Sequence, residues 1–201
     1  MNLTYKTIKN ISKGIFKDRN SKFISIAIPV DKVDDIKEHL LKIKKEYHDA
    51  RHHCYAWKVG VNNPQYRVND DGEPSNSAGT PIYHRILSNE LTNILIVVVR
   101  YFGGTKLGIP GLINAYKNAA QNAIDNNEII EKQICETFFI ELNYDKLNTI
   151  MKYINETNGN ILNQEFTDKC KIKVDIPLNV IDLFEQKLTS LQEIIYKKTD
   201  K

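Results

Sequence analysis

The stretch Val97–Ala120, VVVRYFGGTKLGIPGLINAYKNAA, runs from a β-branched segment through a glycine pair and a lysine into a helical pattern. The aliphatic run Ile94–Val99 inside the segment 93–102 predicts a strand buried on both faces. It is far shorter than the roughly 20 residues a membrane span needs. Gly103–Gly108 reads as a loop and 110–126 as a helix. On that helix Leu112, Ala115, Tyr116, Ala119 and Ala123 recur at i, i+3, i+4 and i+7, which makes one apolar side. Three of them are alanine, so the helix can lie close to a sheet. The loop matches neither G-x-x-x-x-G-K-[ST] nor G-x-G-x-x-G, which argues against an ATPase or a dehydrogenase. Free N–H groups, a helix N-terminus and Lys106 still favour an anion, with Arg100 and Tyr101 at the strand end. The alternative is a tight strand-to-helix turn with a solvated lysine.

Upstream, 13–18 and 22–30 read as strands, with turn chemistry at Asp18-Arg19-Asn20-Ser21. Asp31 stands where a helix N-cap belongs, and Val33, Ile36, Leu40, Leu41 and Ile43 form a helical stripe through about Tyr47. RHHCYAWKVG (51–60) is strand-like, and YRVNDDGEPSNSAGTP (66–81) turns from strand into a polar loop. A short helix follows over 81–87, with proline early in it. The polar break at 125–127 marks a domain boundary, giving domains 1–127 and 128–201. Beyond it, the segments 133–143, 144–158, 160–166, 170–177, 178–192 and 193–198 read β-α-β-β-α-β, the ferredoxin-like order. In 170–177, Lys171, Lys173 and Asp175 alternate with Ile172, Val174 and Ile176, so one sheet face is wet and one buried.

The 201 residues are 41% hydrophobic and 26% charged, the balance of a folded soluble protein, and no signal peptide is read at the N-terminus. Three widely spaced cysteines argue for reduced thiols, a cytoplasmic location and neither a disulfide framework nor a thiolate zinc site. The net charge of +3 is uneven. Residues 1–127 carry 18 basic and 12 acidic side chains, and 128–201 carry 10 and 13. A polyanion would therefore meet the N-terminal part first.

Two further clusters could carry chemistry. On the strand over 51–60, His52 and Cys54 share one face, and His53, Tyr55 and Trp57 share the other. They read either as core residues with one exposed histidine or as a binding or nucleophilic group. In the loop, Asp70, Asp71 and Glu73 could hold a hard cation or divide acid and base roles, with Ser75 and Ser77 adding hydroxyls. The bland reading is a surface turn, since D-G and E-P are strong turn signals.

Taken together, RHHCYAW (51–57), DDGEPSNSAGTPI (70–82) and VVVRYFGGTKLGIPGLINAY (97–116) resemble the IMPACT family, and the chain is identified as a two-domain bacterial-type member. Asn76 and Ser77 stand where the family more often has glycine and threonine, and Pro110 and Asn114 where it tends to have glycine and arginine. The resemblance implies an α+β protein. Its N-terminal domain would be similar to the second domain of ribosomal protein five, a sheet with two helices on one face, and its C-terminal domain would be ferredoxin-like. It also implies a role linked to translation. Eukaryotic relatives regulate translation by competing for an activator of the amino-acid-starvation kinase.

The expectation is a non-enzymatic protein without cofactor or metal, binding RNA or a ribosomal component. Arg51, His53, Arg67, Arg100, Gly103, Gly104, Thr105 and Lys106 would meet phosphate, and Tyr55, Trp57, Tyr66 and Tyr101 would stack on bases. The acidic C-terminal domain would dock a protein partner, and no membrane is involved. The rival is a metal- or phosphate-dependent hydrolase using Asp70, Asp71 and Glu73 with His52 or His53. A protein-interaction module is the third reading.

Overall fold

The computed structural model describes residues 3–191 and 193–199. Gln192, the expected last residue of the helix over 178–192, lies outside the described residues. Backbone contacts group Tyr5–Lys132 as one unit, and Gln133 onward with Leu3 and Thr4 as a second.

The first unit is built on a five-stranded antiparallel sheet of β2 (Ser12–Asp18), β3 (Ser21–Pro29), β4 (His52–Val59), β5 (Gln65–Asn69) and β6 (Ile94–Tyr101), in the order β2-β3-β6-β4-β5. The run ILIVVV lies in the central strand and is completely buried, as its lack of alternation implies. Its two side-chain sets face two cores. Ile94, Ile96 and Val98 pack under α2 (Gly79–Ser88) and α3 (Gly108–Asp125). Leu95, Val97 and Val99 pack with Trp57 and with Ile36 and Ile43 of α1 (Val33–Glu46). The sheet thus carries two helices on one face, as the resemblance implied, and α1 covers the other. The alanine stripe of α3 is fully buried against the sheet.

Three local features differ from the sequence expectation. A strand pair, β1 (Thr4–Ile8) with β7 (Ile129–Gln133), forms a separate two-stranded sheet. Lys9 N–H donates to the Glu128 carbonyl, and Ile134 N–H to that of Leu3, an antiparallel register. Neither segment alternates cleanly, so periodicity does not reveal them, and residues 129–132 of β7 group with the first unit rather than with a domain starting at 128. Asp31 does not cap α1, which starts at Val33 after Lys32 with no side-chain cap.

The turn at Arg19–Asn20 has both central residues at positive φ, 43° and 65°, the twist-matched geometry of a two-residue hairpin. The β6–α3 loop presses on this turn. A Cβ on Gly103 would sit 2.0 Å from the Asn20 carbonyl carbon, and Gly103 N–H donates to the Ser21 hydroxyl at 3.1 Å.

The second unit has a four-stranded antiparallel sheet of β8 (Cys135–Leu142), β9 (Asn160–Phe166), β10 (Cys170–Pro177) and β11 (Ile195–Thr199), ordered β11-β8-β10-β9. With α4 (Leu147–Glu156) and α5 (Ile181–Thr189) packed against Phe138, Ile140, Ile172 and Val174, this is the ferredoxin-like arrangement.

The packing of Gly103 makes a specific demand. Gly103→Ala is expected to lower the urea-unfolding free energy by about 3 kcal/mol, the upper end of overpacking costs, because the blocking atoms are backbone. Equilibrium denaturation of the variant against the parent chain checks this.

Candidate functional site

The three stretches that carry the family resemblance meet beneath α2 and α3. Arg100 from β6 places its guanidinium 2.7 Å from Glu73 Oε1 of the polar loop. The two side chains are only 7% and 4% exposed. Tyr116 of α3 donates its hydroxyl to the same oxygen at 2.8 Å. Cys54 of β4 donates its thiol to the Asp70 carbonyl at 3.0 Å and lies 3.3 Å from the Tyr116 hydroxyl. The Phe23 and Phe102 rings flank the guanidinium, at 5.5 and 5.6 Å from their centroids.

The loop before α2 is ordered by its carboxylates. Asp70 accepts the Ala78 and Gly79 N–H groups on Oδ1, at 3.0 and 2.8 Å, and the Asn76 N–H on Oδ2 at 2.8 Å. It thereby satisfies N–H groups at the start of α2 and complements its dipole. A Cβ on Gly79 would sit 2.6 Å from Asn69 N, so only glycine lets the helix start this close to β5. Asp71 accepts the His53 N–H on Oδ2 at 2.7 Å, with Lys44 Nζ 3.6 Å from Oδ1. His52 Nδ1 donates to the Asp71 carbonyl at 2.9 Å, and the Ser77 hydroxyl to that of Pro74 at 2.6 Å. Ser75 is exposed and accepts from Asn76.

This arrangement corrects several sequence expectations. Arg100 cannot meet an external phosphate, because it is buried and held by Glu73. His53 is buried too, and its Nε2 donates to the Tyr47 carbonyl at 3.0 Å. Trp57 lies in the core under α1 and offers no stacking surface. Gly103 spends its N–H on Ser21 rather than on an anion. Asp70, Asp71 and Glu73 are committed to a helix start, a strand and a buried ion pair. Among the described residues no cluster of three His, Cys, Asp or Glu side chains could hold a metal ion. Burial pushes the Cys54 thiol strongly up, away from the thiolate a nucleophile needs. The hydrolase reading thus loses its proposed groups.

The expected groups that remain outward are Arg51, Arg67, Gly104, Thr105 and Lys106, all exposed. Arg51, Arg67 and Lys106 have no ion-pair partner among the described residues. Tyr66 is 60% exposed and stacks on Tyr83 of α2, with centroids 4.7 Å apart. Tyr55 and Tyr101 are half-buried, and the Tyr101 hydroxyl donates to Asp49 at 2.7 Å, which pushes its pKa up to about 12.

Residues that sequence reasoning passed over lie between the two helices. His84 and Arg85 of α2, Lys117 and Ile113 of α3, and Asn76 and Thr80 line a cleft of about 260 Å³. A signal was available: α2 has no acidic residue, and α3 has only Asp125, its last.

The Impact N-terminal domain family matches residues 19–124, a span that contains all three stretches, and a domain of unknown function (DUF1949) matches 140–191. The IMPACT family member YigZ of Escherichia coli (strain K12) is 30% identical over 172 residues, 85% of this chain and 84% of that protein. Protein IMPACT of Rattus norvegicus is 31% identical over 112 residues, covering 53% of this chain and 34% of that one. A crystal structure of a hypothetical protein is similar with a TM-score of 0.77 at 25% identity, over 100% of both chains.

Two outcomes follow from the buried network. Glu73→Ala leaves the Arg100 charge unpaired in the interior and is expected to cost about 3–5 kcal/mol of stability, read by chemical denaturation. His53 is held below its ordinary value of 6.5, mainly by burial. A group whose folded-state pKa is depressed contributes stability that is present above its unfolded value and lost as pH falls. The urea midpoint is therefore expected to drop below about pH 6.5, and His53→Gln to flatten that slope.

Proposed function

Because the chain belongs to the IMPACT family, we propose that it is a non-enzymatic, translation-linked regulatory protein whose N-terminal unit binds RNA or a ribosome-associated component. The observation that carries this reading is the division of roles within the family-specific stretches. Their acids are consumed internally, while their remaining cations face out. Arg51 and Lys106 are exposed, Thr105 sits beside Lys106 on the open loop before α3, and Arg67, between two of the stretches, is exposed as well. Residues 1–127 keep their basic surplus, and burying the Arg100–Glu73 pair removes one charge of each sign from it. The Impact N-terminal domain match, residues 19–124, falls in that unit, which supports giving it the family's common role. Tyr66, exposed on the edge strand β5, is the best stacking group of those expected. The second unit, with its acidic surplus, is read as the docking module for a protein partner. Among the described residues no helix is long and apolar enough to cross a membrane.

Fluorescence anisotropy with a labelled single-stranded RNA tests the reading. Binding at low salt is expected to weaken linearly in log–log form as salt rises, with a slope of about −0.7 per phosphate contact. Lys106→Ala and Arg51→Ala are each expected to shallow that slope. Absence of RNA binding by the parent chain at low salt would overturn the RNA form of the proposal.

A further inference from the structure

We infer that the cleft between α2 and α3 is a phosphate subsite for an RNA backbone, with Arg85 and Lys117 as its cationic groups and His84 and Thr80 on its wall. The inference rests on the RNA reading above and assigns it a surface whose cationic residues, Arg85 and Lys117, lie outside the three family-like stretches. Three observations carry it.

First, Arg85 is half-buried without a counter-ion. Its Nε is fully buried and has no hydrogen-bond partner, and its Nη1 reaches only the neutral Gln121 Oε1, at 3.4 Å. A guanidinium drawn out of water without an opposing charge is costly. Arg100, whose Nε is likewise buried without a hydrogen-bond partner, differs in that Glu73 offsets its charge directly. Arg85 lines an open cleft instead, where an anion would supply the missing charge.

Second, the surroundings are one-signed. His84, Arg85 and Lys117 line the cleft with Asn76, Thr80, Pro81 and Ile113, and no carboxylate does. His84 and Lys117 are exposed, with no ion-pair partner among the described residues. The one acid of either helix, Asp125, accepts from Gln121 Nε2 at 2.7 Å at the far end of α3. A field of one sign in a concave site attracts anions.

Third, the chemistry along α3 suits a chain rather than a single ion. On the outer face of α3, Asn114 and Asn118 flank Lys117 with amides, one hydrogen-bonded to the other at 3.2 Å, and no acid lies between them. Amide and hydroxyl groups beside a lysine and an arginine are the usual donors to phosphate and sugar oxygens. By contrast α1, across the sheet, mixes four acids with four lysines over its length.

The test uses the full chain and a labelled single-stranded RNA of mixed sequence, followed by anisotropy across a salt series. Arg85→Gln and Lys117→Gln are each expected to weaken binding several-fold and to shallow the salt slope by about 0.7, the share of one phosphate contact. Lys37→Gln on α1 serves as the control and is expected to leave both unchanged. Lys117 is exposed, so its variant reads out binding even if Arg85→Gln perturbs the Gln121 contact, and thermal melts of both verify folding. Inorganic phosphate is added as competitor and is expected to displace RNA only at concentrations where general salt does. If the parent chain binds RNA and both cleft variants match it, the subsite is overturned while the RNA reading stands. If the parent chain binds no RNA at low salt, both fall together. If phosphate displaces RNA far below the effect of equivalent chloride, the ligand is a free phosphate and the backbone assignment is overturned.

Discussion

The ion pair between Arg100 and Glu73 is the contact on which the first unit turns. Four elements contribute to it: the central strand supplies the guanidinium, the polar loop the carboxylate, α3 the Tyr116 hydroxyl and β4 the thiol beside it. Taking two charges out of water is expensive, and only close geometry with further hydrogen bonds offsets that. Here the carboxylate oxygen receives both Arg100 and Tyr116, and two aromatic rings flank the guanidinium. A network of this kind tolerates few arrangements, so it selects one placement of loop and helices over others of similar apolar burial.

That constraint accounts for where the residues with catalytic character are held. Histidine, cysteine, three carboxylates and an arginine lie close together, the usual sign of chemistry. Each is already spent. Asp70 starts a helix, Asp71 steadies β4, Glu73 neutralises Arg100, and burial keeps the Cys54 thiol protonated. The acids in the stretches that identify the family thus serve, in this chain, its internal contacts. What projects from that frame is the open loop at Thr105 and Lys106, the edge at Tyr66, and the cleft where Arg85 lacks an acid.

Much of the fold was legible because periodicity is a local property. The unbroken ILIVVV marks a strand covered on both faces, and the alanine stripe of α3 marks a helix pressed on a sheet. The order of elements after residue 133 marks the ferredoxin-like unit. Elements without a strong local pattern were not legible. β1 and β7 are short, mostly unburied along β7, and exist because each pairs with the other across more than a hundred residues. Asp31 had the right residue type for a cap, but α1 begins one residue too late to use it.

The sequence by itself determined the two-unit α+β organisation, the family, the two faces of β4 and the absence of a nucleotide-type loop. These depend on residue order and spacing, which a one-dimensional pattern carries. Only the tertiary structure decided which charges are available. Arg85 and Arg100 both sit on regular elements within the same family match, and neither element names the partner its arginine will meet. One meets a glutamate from a loop 27 positions away, and the other meets a glutamine on a facing helix. Whether a charge is neutralised or left facing solvent is set by partners brought together through folding, and that pairing is what separates the charges of this protein's frame from those on its surface.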